Sequence, residues 1–423
     1  MKIYEIRDPI YGFIQLNEWE REIVNHPVFQ RLRRIRQLAF TDMVYPSAVY
    51  SRFEHSLGVM HLATLMYDLL ISKERNVEIL KSELSYNKAG LERHKQLIRI
   101  AALLHDVGHT PLSHVGEKLM PYTETKRKYR HEDYTAEIIR ENLREVIEEH
   151  PENRNNYKIS AEEVASLIEG NERVFDESIF WRTLISSQLD ADRGDYLLRD
   201  SVHIGVKYGI YDYNRLINTI SLGIEPEENK PVLGVEKGGW HVAEELILAR
   251  YLMFTQVYFH KTRRAYDYHL NRVLESFLPS GTFPLPKRVD EFLEWDDWKV
   301  FQLVKENAAV NKDCEAILNR RHIRNIYETS ERPDVADWEK LEKAKVVLND
   351  LMTFEDKSVK LWYNLGGEEG SMEIFVTDGG KIKPLSSYSQ IVKNIGEIKQ
   401  IRIYTDYENR ERAEKLLRDE QLL

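Results

Sequence analysis

Cysteine is almost missing from this chain of 423 residues, which has only Cys314. No intramolecular disulfide can form, and a thiolate-rich zinc site is excluded. That scarcity fits a reducing cytoplasm, the expected compartment. Long apolar runs are missing too: none approaches the ~18 residues needed to cross a bilayer. The first residues, MKIYEIRDPIYGFIQL, lack the apolar core of a signal peptide, so no membrane partner is expected. Excess positive charge is absent as well, since 60 Lys and Arg face 70 Asp and Glu for a net −10. A field of that sign works against nucleic acid and anionic membrane, while leaving room for a local basic pocket. Repeats and low-complexity tracts do not occur. What is there, 42% hydrophobic and 31% charged residues, is the make-up of a globular chain long enough for two or three domains.

Helical spacing dominates residues 1–278. NEWEREIVNHPVFQRLRRIRQL carries Ile23, Val24, Val28, Leu32, Ile35 and Leu38 near one face, with a break at Pro27. HSLGVMHLATLMYDLLI and KQLIRIAALLHDVGH read as further helices, and the charged residues 73–94 between them as a surface excursion. HEDYTAEIIRENLREVIEEH is amphipathic, and SAEEVASLIEG opens on a Ser160–Glu163 capping box and closes on Gly170. Residues 180–200 and 240–278 read as helical, with a β-hairpin near 218–240 between them. The texture changes at Pro279, Pro284 and Pro286. Beyond them come helices at 289–318 and 336–353, strands in VKLWYNL, MEIFVTDGGKIKPL and KQIRIYTD, and a final helix in RERAEKLLRD. Asp378-Gly379-Gly380 is the expected hairpin turn. The expectation is a mainly α protein: a helical domain over 1–278, then a smaller α+β lobe over 279–423.

LLHDVGHTPLSH, residues 103–114, is the stretch that points to chemistry. An apolar helix runs into His105, Asp106, His109 and His114, groups that are costly to bury without a purpose. His105 and His109 would share a helix face, with Gly108 and Pro111 marking its stop. Histidine and carboxylate donors without thiolate suit a divalent metal, drawn from Mn, Mg, Fe, Co, Ni or Zn. Two adjacent ligands do not close a site. His55 in SRFEHSLGV and an acid among Asp190, Asp192, Asp195 and Asp200 of LDADRGDYLLRD are the candidates to complete it.

At this point the chain resembles a known family. His55, His105-Asp106 and Asp192 look like the H…HD…D pattern of the HD superfamily of metal phosphohydrolases. FQRLRRIRQL, YPSAVYSRFEHSLGV, YRHEDYT, LDADRGDYLLRD, YFHKTRRAYDYHL, RRHIRNIYE and KQIRIYTDYENRERAEKLL extend the likeness in order along most of the chain. Together they resemble the SAM-and-HD-domain dNTP triphosphohydrolases and their bacterial dGTPase-like relatives. The resemblance implies an HD helical core, one metal on His55, His105, Asp106 and Asp192, and cleavage of dNTP to deoxynucleoside and triphosphate. It implies that His131 is the general acid, oriented by Glu117 or Glu132, and that His109 contacts the α-phosphate. His114 is then a structural residue and His61 part of the core or surface.

The substrate residues implied are Gln37 and Leu38 at the deoxyribose, Arg52 and Arg193 on phosphates, and Tyr196 and Tyr266 packing on the sugar. Asp200 takes the 3′-OH. Asp267 stands where the family has glutamine, and the family's second phosphate arginine has no match, leaving Lys261, Arg263 or Arg264 to substitute. A regulatory nucleotide site between subunits would involve Asn25, Arg33 and Arg324. Asn25 replaces an aspartate there, and Glu328 replaces a basic residue, so strict GTP activation is expected to be absent or altered. A homo-oligomer, dimer or tetramer, is implied by the family alone.

Gln37, Arg52, Tyr196 and Asp200 together favour dNTP over nucleoside monophosphates or nucleic-acid ends. A nucleotide-binding regulator with a dead site is disfavoured, because an unused cluster of buried polar groups only costs stability.

Overall fold

The computed structural model describes residues 2–84, 87–225, 230–361, 373–379 and 381–423. Three helices form the frame that matters. Arg52–Ser72 is apolar on every side, with Phe53, Leu57, Val59, Met60, Leu62, Ala63, Met66, Tyr67 and Leu70 buried. A helix of that kind belongs at a centre, and here it packs against Lys88–Leu104 and Ala191–Ile204. Gly58 permits the second contact. A Cβ there would fall on the Asp195 carboxylate and the Arg199 guanidinium of the neighbouring helix.

The local signals act as their chemistry dictates. The helix Glu18–Asn25 is capped by a reciprocal Asn17–Glu20 box and stops before Pro27, which opens the next short helix. Ser160 and Glu163 form the expected box, and Gly170 closes that helix at φ +77°. Residues 289–318 form three helices, Val289–Leu293, Asp297–Asn307 and Lys312–Leu318. Val335–Val347 and Arg410–Asp419 follow.

Several expectations are corrected. The helix through 103–109 ends at Leu104; His105 is its C-cap, and His109 N–H bonds the Asp106 carbonyl in a tighter turn. Residues 73–94 hold a helix, Glu74–Leu84, with Leu80 buried, and then the start of Lys88–Leu104. The continuous apolar spacing of 240–278 conceals a π-helical turn at Phe254–Tyr258 between Trp240–Met253 and Lys261–Phe277. Strand Phe354–Lys360 starts earlier than VKLWYNL, whose residues 362–365 lie outside the described residues.

Three sheets are described. Tyr4–Asp8 and Gly12–Leu16 form an N-terminal hairpin. Ile220–Ile224 and Pro231–Glu236 form the expected second hairpin, which is joined in parallel by Phe375–Asp378 and then by Lys381–Pro384. Arg324–Glu328, Ile398–Thr405 and Phe354–Lys360 make an antiparallel third sheet. The main core runs from Ile14 to Ile398, and Ile326, Leu341, Leu348, Ile403 and Leu417 belong to a smaller one. We retain 279 as the proposed start of the C-terminal lobe. Phe283, Phe292 and Trp295, just past it, are buried in the main core. Among the described residues no helix is long and apolar enough to cross a membrane.

Candidate active site

The three-helix frame brings His55, His105, Asp106 and Asp192 together. His55 sits on the first turn of Arg52–Ser72, His105 and Asp106 follow Leu104, and Asp192 opens Ala191–Ile204. His55 Nε2 lies 3.1 Å from Asp192 Oδ1 and 3.5 Å from Asp106 Oδ2. His105 Nε2 lies 3.3 Å from Asp106 Oδ1 and 3.9 Å from Asp192 Oδ1. Both imidazoles are oriented from behind. His55 Nδ1 meets Asp195 Oδ2 at 2.8 Å, and His105 Nδ1 meets the Ala102 carbonyl at 2.8 Å. Asp195 is gripped by Arg199 through two bonds of 2.9 Å, and Arg199 reaches Asp8 at 2.8 Å. Such backing fixes the tautomer that presents Nε2 forward.

The donor set fits a divalent cation, with His55, His105 and Asp106 presenting ligand atoms close to one another. His105 Nε2 is buried and has no hydrogen-bond partner. His55 is pulled down by burial, but hydrogen bonds to Asp192 and Asp195 outweigh this and push its imidazole up to about 10. His55 thus faces a carboxylate on each ring nitrogen, Asp195 at 2.8 Å and Asp192 at 3.1 Å. Burial raises Asp106, but Arg52, His105 and His109 prevail and hold it well below the usual carboxylate range. Arg52 pairs with Asp106 through Nη1 and donates from Nε to Ser113 Oγ at 2.9 Å.

A second cluster adjoins the first: His109, His114, Glu117 and His131. His105 and His109 thus serve different clusters, because the chain turns after Leu104. Gly108 lets that turn press on the start of the helix His131–Glu141, where a Cβ would strike Thr135 N and the His131 carbonyl. His109 and His131 stack with ring centroids 3.9 Å apart. Two stacked imidazolium cations repel, so their environments separate them. Burial, Arg52 and His131 hold His109 well below the usual histidine range. Burial opposes the charge on His131, yet its 2.7 Å bond to Glu117 Oε1 and the nearby Glu132 push it up to about 9. Glu117 also takes His114 Nδ1 at 2.9 Å, while Glu132 stands 3.5 Å from His131. Burial raises Glu117, but the two histidines outweigh it and hold the carboxyl far below the usual range.

These clusters border a cavity of about 450 Å³. Gln37, Leu38, Arg52, Asp192, Arg193, Tyr196 and Asp200 line it, as do Arg263 and Arg264. Tyr266 and Asp267 do not: Tyr266 is buried against Phe40 and His322, and Asp267 lies 3.6 Å from Arg264. Lys261 faces Glu328 at 3.9 Å instead of the cavity. Asn25 is exposed at a helix end, Arg33 stacks over Phe53 at 3.5 Å, and Arg324 bonds His322 at 2.7 Å. None of the three reaches the cavity lining.

Some cavity residues have no substrate role in the family pattern, and His114, expected to be structural, is among them. The hydroxyls of Tyr50 and Tyr258 both donate to Asp200, which burial nonetheless pushes up to about 6. Arg250 and Lys360 add to the cavity's charge, making six cationic residues with Arg52, Arg193, Arg263 and Arg264. Tyr50 and Tyr258 belong to YPSAVYSRFEHSLGV and YFHKTRRAYDYHL, whereas Lys360, at a strand end, has no such family motif around it.

Comparison with known proteins places the chain among relatives. The chain matches the HD domain over residues 52–198 and the HD associated region over residues 211–421. It is 29% identical to the uncharacterized protein YwfO of Bacillus subtilis, over 92% of this chain and 88% of that one. It is 27% identical to a deoxynucleoside triphosphate triphosphohydrolase SAMHD1 homolog of Dictyostelium discoideum, over 82% of this chain and 58% of that longer one. A crystal structure of a hypothetical protein from Aquifex aeolicus superposes with a TM-score of 0.79 at 30% identity, covering 98% of this chain and all of that one.

Proposed function

We propose, for a chain that belongs to the HD-domain family of divalent-metal-dependent phosphohydrolases, cleavage of dNTP to deoxynucleoside and inorganic triphosphate. The observation that carries the reading is one continuous site: the His–Asp cluster, the unlike-charged histidine pair and a 450 Å³ cavity with six cationic residues. His55, His105, Asp106 and Asp192 would hold the divalent cation, which would supply Lewis-acid polarisation at the phosphoryl oxygen and offset charge developing there.

The chain's own residues do the rest. Water adds at the α-phosphorus and sheds a proton to solvent, from which His131 is reprotonated after turnover, and the bond to the 5′-oxygen breaks. His131 is protonated at neutral pH and binds Glu117 through Nδ1, which leaves Nε2 to give its proton to the departing 5′-oxygen. His109 stays neutral beside it and orients the α-phosphate. Arg52 neutralises phosphate charge while it steadies Asp106. Tyr196 packs on the deoxyribose next to Gln37 and Leu38, and Asp200 accepts the 3′-OH from a position held by Tyr50 and Tyr258. The likeness to the SAMHD1 homolog supports this choice of substrate over other phosphate esters.

The same reading places the protein in the cytoplasm as a homo-oligomer. Asn25, Arg33 and Arg324, all away from the cavity, become contacts for a regulatory nucleotide without strict dependence on GTP. Product analysis tests the function: each dNTP alone and all four mixed, with Mg²⁺, Mn²⁺ or Co²⁺, resolving tri-, di- and monophosphate. Deoxynucleoside with intact triphosphate is the expected outcome. Release of orthophosphate from monoesters in its place would move the assignment to another phosphohydrolase.

A further inference from the structure

The cavity's cations differ in what already holds them: Arg250 donates from Nη1 to Gln188 at 3.1 Å and Arg263 to the Tyr258 carbonyl at 2.8 Å. Arg52 is committed to Asp106 and Ser113, and Arg264 to Asp356 at 2.9 Å. Tyr258, whose hydroxyl is occupied by Asp200, brings no charge. Leading outward from Asp192, the next residue on the helix is Arg193, and Tyr196 lies close enough to feel both Arg193 and Arg250. Arg193 donates through Nη1 to Asp190 and the Ser187 carbonyl, but its buried Nε has no partner.

Lys360 completes the series from far along the chain, as the last residue of strand Phe354–Lys360, with Nζ 5.1 Å over the Phe254 ring. Burial, then Arg250 and Arg193, pull its ammonium down to about 8, and among the described residues no acid pairs with it. Like charges gathered at a half-buried wall repel one another until an anion lies between them.

We propose that Lys360, with Arg250 and Arg193, forms the subsite for the terminal phosphates of a triphosphate chain. The C-terminal region then sets how long a phosphate chain the cavity accepts. This deepens the proposed function and rests on it for the identity of the nucleotide, but not for the phosphates. An α-phosphate at the His–Asp cluster leaves the β- and γ-phosphates to run past Arg193 toward Arg250 and Lys360. A monophosphate stops short of them.

The test is binding of inorganic tripolyphosphate, pyrophosphate and orthophosphate to the full chain by calorimetry, with Lys360→Met, Lys360→Gln and Lys360→Arg beside the wild type. Melting curves confirm that each variant is folded. Loss of one charge-assisted contact should weaken tripolyphosphate about ten- to a hundredfold. Orthophosphate should be nearly unaffected, and Lys360→Arg should recover most of the loss. In turnover, the same variants should raise KM for dNTP more than they lower kcat. Unchanged tripolyphosphate affinity in a folded Lys360→Met or Lys360→Gln protein would overturn the subsite. So would equal weakening of all three anions, or a wild type that does not discriminate among them. A protein that releases no deoxynucleoside, yet loses tripolyphosphate selectively in Lys360→Met, would keep the subsite and refute the proposed nucleotide reaction.

Discussion

At the scale of single residues, the histidine pair carries the sharpest consequence. His131 keeps its proton until the pH rises through about 9. Turnover that uses this proton should therefore persist through neutrality and fall on the alkaline side. Glu117→Gln removes the acceptor that holds the proton, so the alkaline limb of a kcat profile should move down toward the ordinary imidazole range. His131→Gln should lower kcat about 10²- to 10⁴-fold with little change in KM. The proposed metal ligands predict a different signature. His105→Ala combined with Asp106→Ala should abolish bound metal and activity together, read by metal analysis alongside turnover. Arg52, left without Asp106, should cost about 3–5 kcal/mol in chemical denaturation. Full turnover by that double variant would refute the site. Residue types alone left the acid open among Asp190, Asp192, Asp195 and Asp200, and only the family pattern picked out Asp192 with His55. The Tyr50–Asp200–Tyr258 arrangement was legible in neither. Its members lie 150 and 58 positions apart, and nothing in a tyrosine announces the carboxylate it will meet.

At the scale of elements, helices were legible wherever one face was apolar and a cap closed the end. Ser160, Glu163 and Gly170 behave as their chemistry requires. The N-terminal hairpin escaped notice because each strand has only five residues and its connection is three residues long, with Gly12 at φ +78°. The π-turn at Phe254–Tyr258 escaped because unbroken apolar spacing is compatible with either helix type, and only packing decides. That turn has a use: Phe254, Tyr258 and Phe259 all line the cavity. The contact between Arg52–Ser72 and Ala191–Ile204 makes its own prediction. Gly58→Ala would push Asp195 and Arg199 away from where they hold His55, costing about 1–3 kcal/mol from overpacking. Metal affinity should fall in parallel, which calorimetric melting with and without added Mn²⁺ would measure. An unaltered melting temperature would mean that the two helices separate freely.

At the scale of the molecule, the C-terminal region braces the loop that carries His109. Asp297 accepts from Arg36 N–H at 2.8 Å and from Leu112 N–H at 2.7 Å, and burial pushes its carboxyl up to about 7. Arg31 bonds the carbonyls of His109 and Val107 and also that of Trp295, at 3.0, 3.4 and 2.5 Å. Residues 107–113 are thus held between the first helices and the segment at 295–297. Asp297→Ala strands two backbone donors, and each should cost about 1–3 kcal/mol in denaturant titrations. A larger kcat loss than KM change should accompany it, since His109 moves with that loop. Such bracing was hidden from the sequence because it joins residues about 185 positions apart through backbone atoms, which leave no trace in side-chain pattern.

The strand pairing of Gly234 with Phe375 has one more implication, for how the chain is made. The two residues are separated by 141 positions (375 − 234), so the parallel partner of Pro231–Glu236 leaves the ribosome on the order of ten seconds after it. During that interval His55, His105, Asp106 and Asp192 have already been synthesised, while one edge of the hairpin of Ile220–Ile224 and Pro231–Glu236 is bare. A nascent chain in this state is exposed to strand addition by a neighbour on the same message.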